Sequence, residues 1–181
     1  KDRLTDVPDR EYFDNLLSDM CKEHFKEDFK SLVSTPEAET LLFADFMIDG
    51  ADKYDLITST EELIAKVEKA LADYNAATSS PMNLVLFNDA MEHVCRVARI
   101  ILNPGGHAML VGVGGSGKQS LSRLATFICE YTLKRIVISQ TYGVNDLKED
   151  LKVMYNLAGM RDEGVTFLFT DSQITNERFL V

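Results

Sequence analysis

Apolar residues recur at helical spacing through the first hundred positions and then change rhythm. Tyr12/Phe13, Leu16/Leu17 and Met20/Cys21 return every three to four residues, which predicts a helix opening at Val7-Pro8 and running to about His24. Ser34-Thr-Pro36 punctuates the chain, Thr40 to Met47 is a short apolar segment, and Asp49-Gly50-Ala-Asp52 breaks the pattern. Ser59-Thr-Glu-Glu62 has the form of a capping box, with Leu63, Val67, Leu71 and Tyr74 on one face behind it. A longer helix is predicted with Leu84, Phe87, Met91, Val94/Cys95, Ala98 and Ile101 on one face, ended by Asn103-Pro-Gly-Gly106.

Unbroken apolar runs then alternate with amphipathic stretches. Ala108–Val111, Arg135–Ser139 and Val165–Phe169 read as strands. Between them lie a helix over Lys118–Glu130, with Leu121, Leu124/Ala125 and Ile128 inward, and a helix that Asn145 is placed to cap and Gly159 to close. Strands without alternation, separated by helices, predict an α/β fold: a parallel sheet covered on both faces.

The chemistry of the chain is concentrated in Gly112-Val113-Gly114-Gly115-Ser116-Gly117-Lys118-Gln119-Ser120, between the first predicted strand and the helix after it. This is the layout of a phosphate-binding P-loop. Glycines let the backbone curl so that successive amides face one oxyanion, the helix N-terminus adds its dipole, and Lys118 supplies a point charge. Nucleotide is thus expected on residues 112–120. The position after the lysine, usually Ser or Thr for Mg²⁺, is Gln119. Ser120 lies a further 100° or so around the helix and does not replace it. Gln119 is left to approach the metal through its amide oxygen or through water. Asp171, at the tip of the third predicted strand, is where a magnesium-holding carboxylate belongs; the alternative is a strand-end or turn residue. The next residue is Ser172, a far weaker base than a carboxylate, so no catalytic residue is assigned. Tyr142-Gly143 reads as a turn, and Asp146, Glu149 and Asp150 as a solvated helix face.

Composition narrows the class. Of 181 residues 45% are apolar, enough for a packed core. No run is long enough to span a bilayer and no leader opens the chain, so membrane partners are not expected and the protein reads as soluble. Cys21, Cys95 and Cys129 are too far apart and odd in number for a disulfide framework, and neither they nor His24, His93 and His107 form a metal cluster. The net charge of −10 is confined to residues 1–80, with 9 Lys/Arg against 19 Asp/Glu; residues 81–181 hold 10 of each. That distribution argues against nucleic acid as a partner and places a boundary near Thr78-Ser-Ser-Pro81. The expected organisation is an acidic, mainly helical leader (1–80) and the N-terminal part of a P-loop domain (81–181). Lys1 at the start and an apolar run at the end suggest a piece of a longer protein, one that alone would be marginal or aggregation-prone.

Gly112-Val-Gly-Gly-Ser-Gly-Lys-Gln-Ser-Leu-Ser-Arg-Leu-Ala125 resembles the fourth AAA+ module of axonemal dynein heavy chains, as do Leu41-Leu-Phe-Ala-Asp-Phe-Met47, Met82-Asn-Leu-Val-Leu-Phe-Asn-Asp-Ala90 and Phe167-Leu-Phe-Thr-Asp-Ser-Gln173. The likeness covers most of the chain and is weakest before about residue 35. It implies a partial P-loop AAA+ large domain within a ciliary or flagellar motor whose six AAA+ modules share one chain. For the fourth module the resemblance implies nucleotide binding, of ATP or ADP, in a regulatory or structural role; Asp171 adds the expectation of Mg²⁺, and Gln119 and Ser172, as departures from an active ATPase, that of weak or absent hydrolysis. The implied partners are the other modules, intermediate and light chains, and microtubules through other parts of the motor; the implied location is the cytoplasm and the axonemal cytoskeleton. The resemblance also makes residues 81–87 the adenine-contacting loop, with Val85 and Leu86 lining it; by the residues alone these are apolar positions at a helix entry. Two further readings stay open: a structural spacer that binds no nucleotide, and a free-standing P-loop ATPase or kinase.

Overall fold

The computed structural model describes residues 4–29, 31, 42–48, 50 and 54–180. The chain divides into two compact units, Lys1–Leu41 and Leu42–Val181. The Ser34–Pro36 punctuation and most of the break at Asp49–Asp52 lie outside the described residues.

In the first unit, helix α1 spans Val7–Phe25, with Pro8 in its opening turn and Lys22 and His24 in its closing one. Proline suits the first turn because the amide it lacks has no intrahelical partner there, and cations near the C-terminus oppose the helix dipole. Lys26 closes the helix in the left-handed region (φ 60°). Cys21 is buried, whereas Tyr12, Phe13, Leu16 and Met20 of the expected apolar face are exposed.

The second unit begins ahead of the compositional boundary at residue 80. Its first elements are short: β1 (Phe43–Ala44) pairs antiparallel with β2 (Asp55–Leu56), and Phe43 stacks on Tyr54. Helix α2 spans Thr60–Ala77 and starts where the sequence placed its cap: Ser59 Oγ accepts from the Glu62 amide at 3.2 Å. Leu63, Val67 and Tyr74 are buried on one face. They join Ala44, Met82, Met91, Val94, Cys95, Leu121 and Leu124 in a single cluster. The acidic helix of the leader is therefore part of the same core as the glycine-rich segment. Charge records the solvent face of α2; its buried stripe decides where it packs. Leu63, Met91, Val94 and Leu124 are fully buried, each stabilising by about 1.5–3 kcal/mol relative to exposure.

Helix α3 runs from Asn88 to Leu102. Its start lies beyond the predicted entry at Leu84, because Asn75 holds Met82 by two side-chain bonds described below and the chain stays non-helical to Phe87. Helix α4 spans Lys118–Ile128 and packs on α3 and α2. Arg123 ties it to the end of α2: its guanidinium sits 5.9 Å from the Tyr74 ring centre and donates to Ser80 Oγ at 3.3 Å.

The sheet is parallel, as expected, but shorter and shifted. Strand β3 is Thr132–Lys134, not Arg135–Ser139, and it pairs with β4, Val165–Phe167. Thr132 N donates to Gly164 O at 2.7 Å at one end, and Leu168 N to Lys134 O at 2.9 Å at the other. The next carbonyl, Ile136 O, accepts from the Gln173 side chain at 2.7 Å, so a side chain takes the place of the next ladder rung. Ala108–Val111, expected as a strand, has none assigned. β3 and β4 pair with each other, and Met109 and Val111 stand 89% and 82% exposed. An apolar run becomes a strand only when a neighbouring backbone satisfies its amides and carbonyls. Helix α5 spans Val144–Met160. Asp146, rather than Asn145, closes its first turn, its carboxylate accepting from the Gly143 amide at 2.8 Å; the helix runs through Gly159. Among the described residues no helix is long and apolar enough to cross a membrane.

Candidate functional site

The glycine turn is built by backbone conformations that other residues resist. Gly115 and Gly117 have φ of 78° and 77°, where a Cβ is strained, and Gly117 forms the cap of α4. The reversal brings Lys118 back over its own loop. Its ammonium donates to Gly112 O and Val113 O, both at 2.7 Å, and to Ser116 Oγ at 3.1 Å. All three donors of the ammonium are directed at the turn. Ser116 N donates to Val113 O at 3.4 Å, a long bond across the turn. Gly112, Val113, Gly114 and Gly115 are exposed and the Lys118 side chain lies along them. Below, α4 is locked into the core by Leu121 and Leu124, and Ser122 Oγ donates to Lys118 O at 2.8 Å. The loop thus stands on a rigid helix with a cation folded onto it.

Gln119 is exposed, on the first turn of α4. Its Oε1 accepts from Arg135 Nη2 at 3.5 Å. The oxygen that the sequence offered to a metal therefore faces a guanidinium, a contact with no signature in a linear motif. Ser120 is half-buried one residue on.

Asp171 opens a single 3₁₀ turn, Asp171–Gln173, directly after the extended chain that follows β4. Gln173 anchors that turn. Its Oε1 accepts from Thr170 N at 2.9 Å, and its Nε2 donates to Ile136 O. Gln173 is buried and Asp171 exposed. Ser172 Oγ lies 3.1 Å from Thr170 Oγ1, a hydroxyl pair where a base would be needed. Among the described residues no three His, Cys, Asp or Glu side chains converge as metal ligands. Asp171 stands as a single exposed carboxylate on its 3₁₀ turn, and Mg²⁺ in general keeps several waters and binds through one or two carboxylates plus phosphate oxygens.

Val85 and Leu86 line a shallow cleft of about 490 Å³ together with Leu71, Asn75 and Leu84. Val85 is 80% exposed, and Leu86 packs partly on the core. No residue of 112–120 lines this cleft. A larger hollow of about 780 Å³ lies at the far end of α4, bounded by Phe46, Lys66, Phe127 and Tyr131, away from the glycine turn. Just ahead of α5, Tyr142 donates to Asp150 at 2.5 Å and meets Phe179 edge to face. Desolvation, then that carboxylate, raise the Tyr142 hydroxyl above its ordinary range.

Residues 82–181 match the family described as P-loop containing dynein motor region D4. The chain is 47% identical over 182 residues to the dynein alpha chain of the flagellar outer arm of Chlamydomonas reinhardtii. It is 43% identical over 186 residues to the dynein beta chain of the same arm, and 40% identical over 182 residues to human dynein axonemal heavy chain 1. These alignments take in 99–100% of the chain and 4% of each relative.

Proposed function

Since the chain belongs to the family of P-loop containing dynein motor region D4, we propose that it binds ATP or ADP as one AAA+ module of an axonemal dynein heavy chain and does so with little or no hydrolysis. The observation that supports this most is the Lys118 ammonium folded onto the glycine turn by three hydrogen bonds. Two neutral carbonyls and a hydroxyl hold the cation in place. A polyphosphate offers charged acceptors for the same donors, and charge-assisted bonds are about twice as strong as neutral ones. Entry of phosphate is then an exchange of acceptors on a prepositioned cation.

In this reading residues 112–120 hold the phosphates, Val85 and Leu86 meet the base, and Asp171 supports Mg²⁺ through water. The metal, when bound, would neutralise phosphate charge. The chain's own residues bind and orient; Ser172 brings no carboxylate to polarise a water, so turnover is slow or nil. The whole motor would act on microtubules in the axoneme of cilia or flagella, with the other modules of its chain and associated intermediate and light chains as partners.

The test uses the full-length protein carrying this sequence. A photoreactive ATP analogue is titrated, and labelled peptides from residues 82–142 are quantified by mass spectrometry. Lys118→Ala is expected to raise half-saturation by at least about tenfold. Equal labelling of both forms would reject the assigned site. A spacer that binds nothing draws on the same three bonds, as a loop closed on its own lysine; it predicts no labelling in either form.

A further inference from the structure

Arg135 is held next to the phosphate loop by the one residue that departs from the loop's usual pattern. In a P-loop the residue after the lysine presents a hydroxyl to the metal. Here Gln119 occupies that place and accepts from the Arg135 guanidinium at 3.5 Å. Resting on the nucleotide-binding reading, we propose that Arg135 contacts the outer phosphates directly, that Gln119 is its positioning residue, and that this pair makes nucleotide binding largely independent of Mg²⁺.

Three observations support the assignment. First, the backbone of Arg135 is fixed on both sides. Lys134 O accepts from Leu168 N at 2.9 Å, and Ile136 O accepts from the buried Gln173 side chain at 2.7 Å. Ile136 is buried while Arg135 and Val137 are exposed, so the arginine rises from a rigid base into solvent. Gln173 also fixes the turn bearing Asp171, which puts the cation and the metal-side carboxylate on the same framework.

Second, the tether is neutral. A carboxylate at position 119 would cancel the guanidinium charge and hold it in competition with phosphate. An amide oxygen orients Arg135 and leaves its charge intact. The guanidinium has five N–H donors in a planar fork suited to two phosphate oxygens at once, and Gln119 engages it through a single long bond.

Third, the charge balance fits. Mg²⁺ in such sites offsets phosphate charge and bridges oxygens. With glutamine in place of the usual hydroxyl at position 119, the loop lacks the direct side-chain ligand that a P-loop ordinarily gives the metal. A second cation, tethered to the residue that follows Lys118, supplies part of the same neutralisation without it.

The labelling assay above, run with Mg²⁺ and again with EDTA, tests this. In the native protein, half-saturation should change by no more than about threefold between the two conditions. Arg135→Ala should weaken labelling by about tenfold in EDTA, and Arg135→Lys should recover only part of it, because a point charge lacks the fork. Gln119→Thr, which restores the hydroxyl and removes the tether, should bind about tenfold more weakly in EDTA than in Mg²⁺. Native-like labelling by Arg135→Ala in EDTA would overturn the proposal, as would loss of native labelling when Mg²⁺ is removed. Lys118→Ala separates the two levels. If it abolishes labelling while Arg135→Ala does not, only the arginine assignment fails; if neither matters, the nucleotide site itself is wrong.

Discussion

The Asn75 side chain pairs with the backbone of Met82 as a second peptide would: Nδ2 donates to Met82 O at 2.9 Å and Oδ1 accepts from Met82 N at 2.7 Å. One amide at the end of α2 thus fixes the first part of the segment that leads through Val85 and Leu86 into α3. Asn75→Ala removes both bonds and leaves two part-buried backbone groups without them, a loss of about 1–3 kcal/mol. Faster amide hydrogen exchange over Leu84–Phe87, with little change in α4, is the expected result. Unchanged exchange there would show that apolar packing of Leu84 and Leu86 holds the segment instead.

Gly164 lies against the face of Tyr131 where the β3–β4 ladder begins. A Cβ at that position would clash with three Tyr131 ring atoms, each under 3.0 Å away, and Thr132 N is bonded to Gly164 O. Gly164→Ala should therefore destabilise by about 1–3 kcal/mol through overpacking. Combining it with Tyr131→Ala should cost less than the sum of the two single changes, a coupling that a double-mutant cycle on thermal unfolding would measure. Simple additivity would rule out the steric explanation.

Burial raises the Cys95 thiol to about 11 and the Cys129 thiol to about 12, from 9.0. Cys129 also donates to Ala98 O at 3.7 Å. A raised folded-state value means that the native protein keeps its protons where the unfolded chain has lost them. This contribution to stability is intact below pH 9 and drains away between about pH 9 and 12. Alkylation by iodoacetamide at pH 8 should be slow at both cysteines in the native protein and fast in denaturant. Rapid native-state labelling of Cys95 would contradict its burial.

Met109, Val111, Val113 and Val137 are each at least 79% exposed. Apolar surface of this kind drives association when nothing covers it. Residues 42–181 produced alone should self-associate with rising concentration in sedimentation velocity. The triple change Met109→Ser, Val111→Ser and Val137→Ser should reduce that association. A monodisperse monomer of the unaltered segment would show that these side chains find cover within it.

Local rules of the chain were legible wherever neighbours in sequence decide the outcome. Ser59 caps α2, the Leu63–Val67–Tyr74 stripe is buried, and the glycine turn curls, with Gly115 and Gly117 in left-handed conformations. Each follows from spacing of three to seven residues and from the chemistry of one side chain. Family membership was legible for the same reason, since the glycine turn and its flanks are contiguous. Tertiary structure decided what joins distant segments. It placed α2 in the core of the P-loop unit despite its acidic solvent face, and ended the ladder of β3 at Lys134 because Gln173 occupies Ile136 O. It also left Ala108–Val111 without a strand partner and turned Gln119 toward Arg135. No periodicity encodes such contacts. A backbone group or side-chain amide accepts whichever partner packing brings within about 3 Å, and that choice is made only when the whole chain has folded.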